Sequence, residues 1–62
     1  MSKPPREVLF EIRRVGGFVK CSAIDAATNT EVSIMGPPGA PEQHLKMTAL
    51  RKLQYVLERQ GK

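Results

Sequence analysis

The chain has 62 residues and carries ten Lys and Arg against six Asp and Glu, a formal net charge of +4. An apolar share of 40% with 26% charged residues is the balance of a soluble folded domain and excludes a disordered segment. The length allows one small core, no apolar run is long enough to cross a bilayer, and a single cysteine, Cys21, excludes an internal disulfide.

The N-terminal stretch MSKPPREV has basic residues but neither the apolar segment nor the small-residue cleavage site of a secretory signal. The expected location is therefore cytoplasmic, and a lone thiol suits a reducing compartment. The mild basic excess admits nucleic acid or an acidic protein as partner, and equally a surface merely charged away from neutrality.

In chain order, residues 1–5 are expected to form a flexible tail, and 6–62 a single domain. Across about 7–15, Val8, Phe10 and Ile12 alternate with Leu9, Glu11 and Arg13, the period of a strand with one apolar face. Gly16-Gly17 follows and supplies two positions free to take positive φ, as a primed hairpin turn demands. That turn sets a register in which Val15 faces Phe18, Arg14 faces Val19, Arg13 faces Lys20, Ile12 faces Cys21 and Phe10 faces Ala23. Phe10, Ile12, Val19, Cys21 and Ala23 then share one face, and burial resists a slip by one residue.

The second strand is expected over about 18–25. Ala26-Ala27-Thr28-Asn29 is a short polar loop ending in a residue that tolerates left-handed φ. The third strand is expected over about 30–35. With Asp25 facing Thr30, Ala23 meets Val32 and Cys21 meets Ile34, so both turns place the apolar groups on one face.

Gly36-Pro37-Pro38-Gly39-Ala40 suits neither a strand nor a helix interior and reads as the connector back across the sheet. A C-terminal helix is expected over about 41–60, with Pro41 in its first turn, Glu42 at the positive end of its dipole and Gly61 as its stop. On a helical wheel Leu45, Ala49, Leu50, Leu53, Val56 and Leu57 fall within an arc of about 140°, while Met47 and Tyr55 point away. The expected fold class is α+β, a three-stranded antiparallel meander packed on one C-terminal helix. Such a small unit is marginally stable, so a second copy or a partner would help it.

No chemistry converges in this pattern. Cys21 falls inward on the central strand, where small residues let Ala49 of the helix come close, and it lacks the exposure and positive charge of a reactive thiol. His44, the sole histidine, lies off the apolar stripe with no second ligand and no orienting partner. GPPGAP lacks the Gly-Lys-Ser/Thr ending of a phosphate loop, and its prolines remove amide donors. No catalytic residue, metal ligand, cofactor or small-molecule site is expected, and the chain reads as no enzyme.

The outer sheet face is the candidate surface, because one helix cannot cover both faces. Its residues of interest are Leu9, Arg13, Val15, Phe18, Lys20, Ile24 and Met35. Three readings stay open. One is self-association or a protein partner, through the apolar members of this set. The next is nucleic acid, with Arg13, Arg14 and Lys20 on phosphates and Phe18 stacking. The last is a scatter of surface apolar groups without a role. Lys46, Arg51, Lys52 and Arg59 are spread around the helix, as on a solvated face.

In layout, three antiparallel strands and a C-terminal helix resemble the plant Apetala-type DNA-binding domain and the arm-binding domain of some tyrosine integrases. That is a likeness of layout alone and carries no site residues, since the outer face here holds three acidic groups. EVLFEIRRVGGFVKCSAIDAATNTEVSIMGPP and LKMTALRKLQYVL are similar to a small alphaproteobacterial family without an assigned function. That resemblance implies a compact bacterial cytoplasmic protein and nothing about activity.

Overall fold

The computed structural model describes residues 7–60. In order these form β1 (Val8–Val15), β2 (Phe18–Asp25), β3 (Thr30–Gly36) and α1 (Glu42–Gln60). The sheet is antiparallel in the order β1-β2-β3, with α1 packed across β2 and β3 on one face. This is the expected α+β architecture, with element ends shifted by a residue. The expected tail at 1–5 and the Gly61 stop lie outside the described residues.

Both turns set the register as read from the sequence. Val15 pairs with Phe18, Arg13 with Lys20, Ile12 with Cys21 and Phe10 with Ala23; across the second turn Asp25 pairs with Thr30, Ala23 with Val32 and Cys21 with Ile34. The first turn uses its glycines unequally. Gly16 alone takes positive φ, at 59°, the pattern of a type II′ turn rather than one with both central residues left-handed. In the second turn Asn29 supplies the left-handed residue at φ 62° and donates its amide to the Asp25 carbonyl at 2.7 Å.

Cys21, Ala23, Val32, Leu45, Ala49 and Leu53 form the buried core, and Val8, Phe10, Ile12, Val19, Ile34, Ala40, Val56 and Leu57 pack around it. Small residues on the central strand admit the helix closely, and Cys21, Ala23 and Ala49 are all fully buried. Leu50, at the edge of the helical stripe, is only half-buried.

The connector closes as a tight turn, Ala40 donating to the Pro37 carbonyl at 3.0 Å. Pro41 sits one position earlier than expected, outside the helix. Its carbonyl accepts from the amides of His44 at 3.0 Å and Leu45 at 3.2 Å, which is the role of the residue preceding the first turn. No expectation covered the burial of Asp25. This residue ends β2 on the helix-facing side and is fully buried, its Oδ2 accepting from the Thr28 amide at 3.1 Å and the Thr28 hydroxyl at 2.7 Å. The Thr28 and Thr30 hydroxyls lie 2.7 Å apart, and Thr30 donates to Gln60 Oε1 at 3.2 Å. Polar side-chain contacts thus run from the β2–β3 turn to the last residue of α1.

Candidate functional site

The register resolves the outer face into rows running across the strands. Val15 and Phe18 form the row beside the first turn, then come Arg13–Lys20–Met35, Glu11–Ser22–Ser33 and Leu9–Ile24–Glu31. The candidate residues therefore fall into two groups. Val15, Phe18 and Met35 cluster at the hairpin end with Arg13 and Lys20, while Leu9 and Ile24 sit at the far end beyond the Glu11–Ser22–Ser33 row. Six residues of extended chain separate Leu9 from Val15, about 20 Å. Leu9 is 49% exposed, Val15 43%, Phe18 56% and Met35 54%, while Ile24 and Lys20 are half-buried.

The strand alternation also divides the basic residues. Arg13 and Lys20 lie directly opposite each other on the outer face, a like-charge pair. Arg14, paired with Val19, belongs to the opposite face, so the three cations do not form one phosphate-binding row. Glu11 and Glu31 share the outer face with Arg13 and Lys20, which leaves the strands there without a basic excess.

Three cations of the helix are occupied within the fold. Lys46 stands 5.9 Å above the Phe10 ring. Lys52 donates to the Ser33 carbonyl at 3.1 Å and so blunts the β3 edge of the sheet. Arg59 reaches the Tyr55 hydroxyl at 3.2 Å and lies 5.6 Å from that ring.

Elsewhere the chemistry is sparse. Burial pushes the Cys21 thiol above its ordinary value, partly opposed by the Lys46 ammonium. A thiol held protonated in the core is a packing group. An open groove of ≈ 360 Å³ lies between the end of β3, the connector and the first turns of α1, lined by Ile34, Met35, Gly36, Pro37, Ala40, His44, Leu45 and Thr48. His44 is the one titratable side chain in that lining. Among the described residues no three His, Cys, Asp or Glu are grouped to hold a metal ion.

This three-stranded meander closed by one helix matches one family model over residues 5–60. The chain belongs to the DUF6898 family, a domain of unknown function. The match spans both segments that carry the family resemblance. No curated protein and no solved structure matches the chain. Among the described residues no helix is long and apolar enough to cross a membrane.

Proposed function

We propose that this DUF6898 domain is a non-enzymatic interaction module that self-associates through the sheet face turned away from α1. The supporting observation is the exposure of Val15, Phe18 and Met35 together at the hairpin end, on a sheet whose other face packs against α1 through β2 and β3. An exposed phenylalanine on a rigid hairpin is costly in water and gains from a partner surface. Arg13 and Lys20 flank that cluster and help keep the free domain in solution. We keep this reading ahead of nucleic-acid binding because Arg14 faces the other way and carboxylates interleave with the remaining cations.

Light scattering over a concentration series tests the proposal. A molar mass that rises with concentration, and a weaker rise for Phe18→Ser, is the expected result. A constant monomer mass at high concentration, with Phe18→Ser leaving solubility unchanged, would end it. Binding to DNA or RNA at low salt that weakens steeply as salt is added would instead favour the nucleic-acid reading.

A further inference from the structure

We infer that the partner is a second copy of this chain, joined edge to edge through β1 about a two-fold axis at Ile12. The inference rests on the self-association reading and adds to the face contact a second one at the sheet edge, which draws the apolar groups of two outer faces into one surface.

The two sheet edges are unequal. On β3, Lys52 takes up the Ser33 carbonyl. β1 is the other edge strand, and α1 lies over β2 and β3, away from it. The main-chain groups that β1 presents outward follow from the ladder. Glu7 accepts from the Ala26 amide at 3.0 Å, so odd-numbered residues of this strand bond towards β2. The amides and carbonyls of Val8, Phe10, Ile12 and Arg14 therefore face an edge with no neighbouring strand among the described residues, a template for another antiparallel strand.

Side chains select one register. With the two-fold axis at Ile12, each Glu11 faces the second copy's Arg13, and each Leu9 faces the second copy's Val15. These are the non-hydrogen-bonded positions of the new ladder, where side chains approach most closely. An axis at Glu11 would set carboxylate against carboxylate, and one at Arg13 guanidinium against guanidinium. An axis at Phe10 would place Leu9 against Glu11. Only the Ile12 axis pairs opposite charges and apolar groups together.

The same register repairs the division seen in the single chain. Leu9 and Ile24 at one end of the outer face come into line with Val15 and Phe18 of the second copy, making an apolar row across the four central strands of the joined sheet, twice over. On the inner face Ile12 meets its counterpart. A domain this small gains core area by that union.

Charge reversal supplies the test, with sedimentation equilibrium as the readout. Arg13→Glu sets Glu11 against a new carboxylate in both symmetric pairs and is expected to weaken dimerisation about tenfold. It also replaces the like-charge pair with Lys20 by an attractive one, so the fold is retained, and a circular dichroism melt checks this. Adding Glu11→Arg restores the opposite-charge pairs, and the double variant is expected to recover the wild-type dissociation constant. A wild-type dimer indifferent to Arg13→Glu, or a double variant that stays dissociated, would overturn this edge and register while leaving self-association standing. A wild type that is monomeric throughout the concentration range would overturn both.

Discussion

Leu45 of α1 closes directly over Gly36, the last residue of β3, so that a Cβ added at Gly36 would stand 2.6 Å from Leu45 Cδ2. Gly36 is buried and pairs with Val19, so the contact forms where the sheet ends and the chain turns into the connector. The close approach suits a glycine there, since any side chain would have to displace the Leu45 methyl.

Gly36→Ala is therefore expected to destabilise the fold by about 1–3 kcal/mol through overpacking. Urea denaturation followed by circular dichroism measures it. Gly39, with nothing within 4 Å of its built Cβ, is the control, and Gly39→Ala should shift the midpoint little. In a Leu45→Ala background the Gly36→Ala cost should largely disappear, because the clashing methyl is gone. A cost that persisted there would place the strain elsewhere.

The two glycines of the first turn should respond differently to alanine. Gly16 sits at φ 59°, where Gly16→Ala costs about 1 kcal/mol or somewhat more. Gly17 does not take positive φ and has open space around its built Cβ. Gly17→Ala is expected to be neutral or to stabilise by about 0.4–1 kcal/mol, by restricting the unfolded chain. Thermal melts of the two variants should bracket the wild type; equal losses would mean that the turn is not as described.

Cys21 should be unreactive while the domain is folded. It is fully buried and desolvation raises its thiol above the ordinary value of 9.0, so alkylation by iodoacetamide should follow global unfolding. The sign of the pH dependence follows. The folded thiol holds its proton more tightly than the unfolded one, so this contribution to stability is intact below 9.0 and is lost as the pH rises through the folded value. Cys21→Ala should remove that alkaline loss while lowering stability near neutrality by roughly 1 kcal/mol, from the space left beside Ile12 and Ile34. Alkylation as fast in the folded as in the unfolded protein would contradict the burial.

Much of the architecture was legible because its determinants are local. A Gly-Gly pair and an Asn-terminated loop each fixed a register by counting outward from a turn, and the alternation of Phe10, Ile12, Cys21 and Ala23 agreed with both. Asp25 was missed, although Asp-Ala-Ala-Thr before Asn29 carries a signal: a carboxylate three residues ahead of a threonine can accept from both its amide and its hydroxyl. The candidate surface reads from the sequence as one set of residues, and its division into two apolar groups emerges when Leu9 and Val15 are placed on opposite sides of the Glu11 row. Arg14 could have been separated from Arg13 by strand alternation alone.

Sequence by itself determined the elements, the strand register and the apolar face, because turn residues and side-chain period act over a few residues of chain. Tertiary structure decided what depends on how the helix crosses the sheet: the contact of Leu45 with Gly36, the capture of the Ser33 carbonyl by Lys52, and the choice of β3 rather than β1 as the protected edge. Those contacts join residues far apart in the chain, so no local pattern encodes their geometry.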